Sequence, residues 1–290
     1  MSEFRFCLLA VLSVLQVGTG KSGLYKVKDE SGNEDVFSGR VYVLKLDIEP
    51  AETNVCWKST SCTLKLTDDS YPGSTAVWTS VPAGIGGSGN SITFSPNALT
   101  PGEYTVTAKS GIVTNYTDTC IVRIVLSGLI IFVDQPGAGR DRDPYEFVDG
   151  KVDPGHVFWM LTNSYPKMVK NHILRYYINK PIGYYPKSEV KPLSPSQPGQ
   201  VIIPDYGHWA KYEVSHFWGV SIEHFVDGLN YSKNLHNTPG VYDLNDNNCT
   251  DAAIRAGVAV GETVPDTQGV WLNGGGSNAG DLGEDLRNLK

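Results

Sequence analysis

The residues best suited to chemistry in this chain are one histidine and one cysteine, far apart in sequence. The histidine opens an apolar run, Asp153-Pro-Gly-His156-Val-Phe-Trp-Met-Leu161, that reads as a strand. The cysteine ends a polar stretch, Tyr242-Asp-Leu-Asn-Asp246-Asn-Asn-Cys249-Thr-Asp-Ala-Ala, that reads as the start of a helix with Asp246 or Asn247 as its N-cap. A thiol in the first turn of a helix lies where backbone N–H groups and the helix dipole favour negative charge, so its pKa falls from about 8.5 towards neutrality. An adjacent imidazolium lowers it further, and the thiolate is the nucleophile. The same N–H groups can hold an oxyanion, and the imidazole can protonate a leaving group. Taken singly, each residue reads as well as packing or surface; the pair and its flanks carry the catalytic reading.

Other chemistry finds little footing. The chain has no HExxH and no paired-cysteine spacing, and Asp141, Asp143, Asp149 and Asp153 do not fit an EF-hand loop. Gly137-Ala-Gly139 lacks the rest of a phosphate-binding fingerprint. We therefore expect no metal and no cofactor. His216, His224 and His236 read as structural or surface residues.

The elements that must position the pair follow from periodicity. From about residue 38 to 126, short strands of period two recur between Pro- and Gly-rich turns: Cys62/Leu64/Leu66, Val77-Trp78, Ile92/Phe94, Glu103–Ala108 and Cys120/Val122/Ile124. The turn at Tyr71-Pro-Gly-Ser separates two of them. These describe an all-β sandwich. After Ser127-Gly128 comes a continuous apolar strand, Leu129–Val133, expected to be covered on both faces. Next come the His156 strand, a strand around Ile173–Ile178, the Ile182-Gly-Tyr-Tyr-Pro186 segment, a Pro/Ser-rich loop from Lys191 to Gln200 and a strand near Tyr212–Phe217. Ile222, Phe225, Val226 and Leu229 share one face of a helix capped by Ser221. The cysteine helix has Ala253 and Ile254 behind Cys249 and Gly257 as its C-cap. Leu282, Leu286 and Leu289 mark a short docked C-terminal helix.

The bulk numbers bound the rest. At 290 residues with 40% hydrophobic content, two compact domains are expected. A net charge of −7 excludes nucleic acid and anionic membrane as main partners. Arg5 followed by the apolar stretch Phe6–Val17 and the small residues Gly18 and Gly20 reads as an export signal, too short to span a bilayer. No later segment is long and apolar enough to be an integral membrane span. Export into an oxidising compartment, secreted, periplasmic or at the cell surface, makes one disulfide among Cys56, Cys62 and Cys120 an expectation, with the pairing open. Phe158, Trp159, Tyr184, Tyr185, Trp209 and Trp218 either line a cleft or fill the core, core being expected for at least half.

The Trp78 strand and the Pro101-Gly-Glu-Tyr-Thr-Val-Thr-Ala108 segment resemble bacterial immunoglobulin-like modules. Gly155-His156-Val-Phe, Gly183-Tyr-Tyr-Pro186 and Tyr242–Cys249-Thr, in that order, resemble circularly permuted papain-like thiol hydrolases, relatives of NlpC-type cell-wall peptidases and of lecithin:retinol acyltransferase. The resemblance covers roughly residues 129 to 275. It implies an α+β domain with an antiparallel sheet and a cysteine-bearing helix, Cys249 as nucleophile and His156 as base. In that group the residue orienting the imidazole sits on the strand after the histidine's, which here offers His172, ranked first, or Asn179; His208 is a further candidate. The expected layout is a signal peptide over 1–20, an immunoglobulin-like sandwich over 21–127, the hydrolase domain over 128–275 and a C-terminal helix over 276–290. The implied activity is amidase or peptidase chemistry through an acyl-enzyme, on peptidoglycan or surface peptides. Acyl transfer remains open, and so does a non-enzymatic exported binding protein with an inactive papain-like domain. Oligomeric state is left open.

Overall fold

The computed structural model describes residues 22–28, 34–40, 46–67, 76–111, 116–136, 142–148, 151–190, 196–271 and 274–289. The export signal over 1–20, the turn at Tyr71–Ser74 and the Gly137–Gly139 segment lie outside the described residues. The chain is mostly β, with several sheets and four α-helices among the described residues. It divides into two compact units: residues 1–53, 61–94 and 103–122, and residues 54–60, 95–102 and 123–290. No helix among the described residues is long and apolar enough to cross a membrane.

The first unit is built from short antiparallel strands. Ile48–Glu49, Cys62–Leu66 and Ser91–Phe94 form one sheet, and Gly102–Ser110 pairs with Ala76–Val81 in another. Alternation decides which side chains go in: Leu64, Leu66, Ala76, Trp78, Tyr104, Val106 and Ala108 are buried, and the residues between them are not. The buried Trp78 indole donates to the Gly89 carbonyl at 2.9 Å, which satisfies its one polar atom.

The second unit centres on a six-stranded antiparallel sheet. Its strands are β1 (Ser127–Asp134), β2 (His156–Asn163), β3 (Pro181–Pro186), β4 (Ser196–Ile202), β5 (Val214–Gly219) and β6 (Val241–Asp243), in the spatial order β5-β1-β2-β3-β4-β6. Both faces are covered, as the unbroken apolar run in β1 requires. On one face Leu129, Ile131, Val157, Trp159, Leu161 and Ile182 pack against α2 (Ile222–Asn237) and α3 (Cys249–Ala259). On the other, Phe132 and Phe158 stack at 4.9 Å beneath Trp209 and Tyr212. α2 has the expected cap, Ser221 accepting from the His224 N–H. The C-terminal helix α4 (Ala279–Arg287) puts Leu282 and Leu286 into the same core as Cys249.

Several expectations are corrected. Residues 173–178 do not form a strand: Asn171 accepts from the Ile173 and Leu174 N–H groups and caps α1 (His172–Arg175). Asn179 then turns the chain at φ +58° into β3. The β-forming side chains of that stretch thus follow a local cap, which outweighs propensity. The Lys191–Gln200 loop is shortened by β4, which starts at Ser196. Cys56, Cys62, Cys120 and Cys249 are all free thiols, so the one expected disulfide is not formed in any of its three possible pairings. Of the six aromatics, Phe158, Trp159 and Tyr184 are core, whereas Trp209 is 39% exposed.

Candidate active site

Three segments of the second unit meet at the N-terminal end of β2. The first is the turn before it. Asp153 accepts from the Gly155 N–H at 2.9 Å, and Gly155 takes a left-handed φ of +64° that turns the chain into the strand. A Cβ there would lie 2.4 Å from the Asp134 carbonyl oxygen, so only glycine fits. His156 follows as the first residue of β2, opposite Asp134 of β1, and is 4% exposed.

The second segment carries Cys249. After β6 the chain reverses: Asn247 donates to the Asp243 carbonyl at 3.0 Å and accepts from the Asp243 N–H at 3.1 Å. Asp246 and Asn247 are spent in that turn, and the N-cap is Asn248, one residue later than the sequence suggested. The Asn248 side chain accepts from Thr250 and Asp251 N–H groups and donates to the Leu244 and Ser277 carbonyls; Asp251 closes a capping box on the Asn248 N–H. Cys249 is therefore the first helical residue. Ala252, Ala253 and Ala256 behind it are fully buried and let the helix approach β2 closely. Helix α3 runs through Gly257 rather than ending there. A Cβ at Gly257 would lie 2.1 Å from Val264 Cγ2, so that glycine serves packing, not capping.

The third segment was not foreseen. Asp205, just past β4, is 3% exposed, and its Oδ2 lies 3.1 Å from His156 Nε2. The same oxygen accepts from the Tyr185 hydroxyl at 2.7 Å. Nε2 being engaged, Nδ1 is left for the thiol, and the Cys249 side chain lies close enough to His156 for each to shift the other's titration. The Val157 backbone N–H also favours the charged sulfur, and the Tyr242 hydroxyl approaches it at 4.0 Å. Gly183 makes room for the arrangement: a Cβ on it would lie 2.0 Å from Asp205 Oδ2 and 2.6 Å from Tyr185 Cε2.

His172, ranked first as the orienting residue, is excluded by position. It is exposed at the start of α1, with Nδ1 3.3 Å from Arg175. Asn179 spends its side chain on the Asn163 N–H and carbonyl. His208 does reach the site, but its Nδ1 pairs with Asp134 at 2.6 Å, and its ring is tilted by 41° against that of His156 at 4.5 Å. The strand after the histidine's is β3, and it contributes Tyr185. The sequence signal for Asp205 was the polar Asp205-Tyr-Gly-His208 segment between apolar runs; the choice of the carboxylate within it needed the fold.

The electrostatics follow from burial and pairing. Burial opposes charge on His156, but the Cys249 thiolate and the Asp205 carboxylate outweigh it and raise the imidazole from 6.5 to about 9. Burial likewise opposes the thiolate, yet the His156 charge and hydrogen bond, the Val157 N–H and Tyr242 bring Cys249 below its ordinary value. Asp205 is lowered against its own burial by His156 and Tyr185. Burial and the neighbouring Asp205 charge hold Tyr185 protonated, as a donor. Both shifts favour a thiolate–imidazolium pair over the neutral pair. Of the first-turn N–H groups, Thr250 and Asp251 already serve Asn248, so only that of Cys249 is left, and it donates to the Tyr242 oxygen.

Among the described residues, no group of His, Cys, Asp and Glu side chains is arranged to hold a metal ion. The chain matches no protein-family model, no curated protein and no solved structure, so the site is read on its own geometry.

Proposed function

We propose that this chain is an exported thiol hydrolase that cleaves an amide through an acyl-enzyme, with a permuted papain-like catalytic unit behind an immunoglobulin-like module. The observation that carries the reading is the buried line Cys249–His156–Asp205, in which the thiol and the imidazole are near enough to shift each other's titration and the imidazole lies 3.1 Å from the carboxylate. Cys249 attacks the carbonyl carbon. The oxyanion is met by the Tyr242 hydroxyl, whose oxygen the Cys249 N–H supports. His156 passes its proton to the departing amine and takes one from the water that hydrolyses the thioester. Asp205 holds the imidazole with Nδ1 towards sulfur.

Peptide amides are the substrate class, and stem peptides of peptidoglycan are its first members to try, on the strength of the family resemblance. The binding-protein alternative drew its support from the want of an orienting residue, a role that Asp205 fits by geometry. The test is to incubate the full chain with short peptide amides and stem peptides and to follow product and the mass of Cys249. Turnover that passes through a Cys249 thioester and vanishes in Cys249→Ala is the expected result. No thioester on any amide, with Cys249 alkylation titrating at the ordinary thiol value of about 8.5, would sink the reading.

A further inference from the structure

Asp205 is held at both ends by one strand. Its backbone N–H donates to the Pro181 carbonyl at 2.9 Å, at the start of β3. Its carboxylate accepts from the Tyr185 hydroxyl at 2.7 Å, near the other end of the same strand. Side chains alternate along a strand, so residues 181, 183 and 185 share one face. Gly183 leaves that face bare between the two contacts: a Cβ on it would lie 2.0 Å from Asp205 Oδ2. Tyr185 is firmly mounted in turn, because β3 is paired with β2 on one side and with β4 on the other, where Tyr185 lies opposite Gln200. Its ring also stacks on the His156 imidazole, with centroids 4.2 Å apart and planes inclined by 22°. One side chain thus touches both the base and the carboxylate behind it. The Tyr185 hydroxyl and His156 Nε2 meet the same oxygen, Oδ2, at 2.7 and 3.1 Å. Asp205 is 3% exposed, so these two donors, rather than bulk water, orient that oxygen.

We propose that Tyr185 is a positioning residue whose hydroxyl anchors the Asp205 carboxylate so that Oδ2 stays aimed at His156 Nε2. The inference rests on the hydrolase reading above. The terminal torsion of an aspartate is broad, and a bond to a ring that can itself turn leaves both partners free to swing together. The Tyr185 O–H ties the shared oxygen to the sheet. Both halves of the reaction need this. In the first, His156 gives its proton to the departing amine as the C–N bond breaks. In the second, a water oxygen bonds to the thioester carbon, its proton passes to His156 and the C–S bond breaks, releasing the carboxylic acid. Each transfer requires Nε2 to remain on Asp205 while Nδ1 faces the reacting atoms. Loss of alignment at a reacting group costs rate steeply, up to about 100-fold for a displacement of about 1 Å. The titratable groups around His156 are Cys249 of α3, with Tyr242 of β6 at its sulfur, Asp205 and His208 of the segment after β4, Asp134 of β1 and Tyr185. Burial and the Asp205 charge keep the Tyr185 phenol neutral, so removing its hydroxyl leaves every charge in that set in place.

The experiment compares the full-length wild type, Tyr185→Phe, Asp205→Ala and the double variant. The His156 ring is titrated by NMR, and kcat/KM is measured on a peptide amide that wild type turns over. Tyr185→Phe keeps the stacked ring and loses only the hydroxyl. In it we expect His156 to titrate below the wild-type value of about 9, towards that of Asp205→Ala, and kcat/KM to fall about tenfold. In the Asp205→Ala background the same change should cost less than about twofold, because Tyr185 acts through Asp205. A His156 titration that is unmoved or higher in Tyr185→Phe overturns the proposal, since Asp205 would then keep its aim unaided. So does an equal loss of rate with and without Asp205, which would give the hydroxyl a contact of its own with substrate. A phenylalanine variant that unfolds, judged by circular dichroism, overturns it as well, the hydroxyl then serving the fold. If wild type turns over no amide, the hydrolase reading has failed on its own account. The titration then decides alone: a lowered His156 value in Tyr185→Phe supports the positioning of Asp205, and an unmoved one overturns it.

Discussion

At His156 two opposed effects of nearly complete burial meet. Removing an imidazolium from water lowers its pKa, while the same low-dielectric surroundings strengthen its attraction to the Cys249 thiolate and to Asp205. Attraction wins, and the value rises to about 9. Because the folded value lies above the ordinary 6.5, this pairing stabilises the fold in full below about pH 6.5, and the contribution is lost as pH climbs through about 9. On the hydrolysis proposed above, activity follows the same limb. The imidazolium must protonate the leaving amine, so kcat/KM on an amide should hold to alkaline pH and decline near pH 9. Replacing Asp205 by alanine removes one of the two causes of the raised value, so the decline should move to lower pH. The rate should also drop by on the order of 100-fold as the ring loses its orientation. A pH–rate profile of wild type and Asp205→Ala checks both, with circular dichroism to confirm folding, since the Tyr185 hydroxyl loses its partner. A wild-type decline well below pH 9, or an alanine variant with an unmoved profile, would contradict this account of His156.

Among the elements, α3 shows where local signals sufficed and where they did not. The Asn-rich stretch announced a helix start with a cysteine in its first turn. Asn248, rather than Asp246 or Asn247, became the cap because the reversal from Asp243 to Asn247 had already consumed those two residues. The strands β1 and β2 and the helix α2 were legible from period and capping alone. The 173–178 stretch was not, because Asn171 and Asn179 impose a capped turn on residues that by composition favour a strand. Asp205 was hidden for a different reason: it lies 49 residues from His156, and only the pairing of β2 with β3 and of β3 with β4 brings it there. Element-level stability at the site should therefore hang on Asn248. Its side chain makes four hydrogen bonds, two within the cap and two to the Leu244 and Ser277 carbonyls. Asn248→Ala should cost about 2 kcal/mol or more, the cap alone being worth roughly 1. The same change should slow Cys249 alkylation at neutral pH by loosening the helix start. Urea unfolding together with iodoacetamide labelling would show it, and a variant as stable and as reactive as wild type would refute the role given to the cap.

At the scale of the whole molecule, composition and spacing read correctly as a β-rich chain in two parts, but they could not read how the second part is assembled. The boundary expected after residue 127 falls inside β1, whose first residue, Ser127, is buried, accepts from the Asn163 side chain at 2.8 Å and takes the Val220 N–H on its carbonyl. The second unit also includes residues 54–60, from far upstream. The Cys56 thiol donates to the Val220 carbonyl at 3.2 Å, the Trp57 N–H donates to the Val125 carbonyl at 2.8 Å, and the Trp57 ring lies over Gly219. Lys58 pairs with Glu262 at 2.7 Å, an exposed pair of small value. No periodicity in the sequence links such a short segment to strands so far along the chain. A fragment of residues 123–290 therefore carries Cys249, His156 and Asp205 but lacks part of the unit that holds them. The lost hydrogen bonds and the half-buried indole together amount to on the order of 2 kcal/mol, which for a unit of this size is about 5 °C in melting temperature. Hydrogen exchange of the β1 amides under rising urea, compared between fragment and full chain, reads the difference directly. The fragment should lose protection at lower urea, and adding back residues 54–60 as a synthetic peptide should restore part of it. Equal protection in the two would mean that the upstream segment lies on the second unit without supporting it.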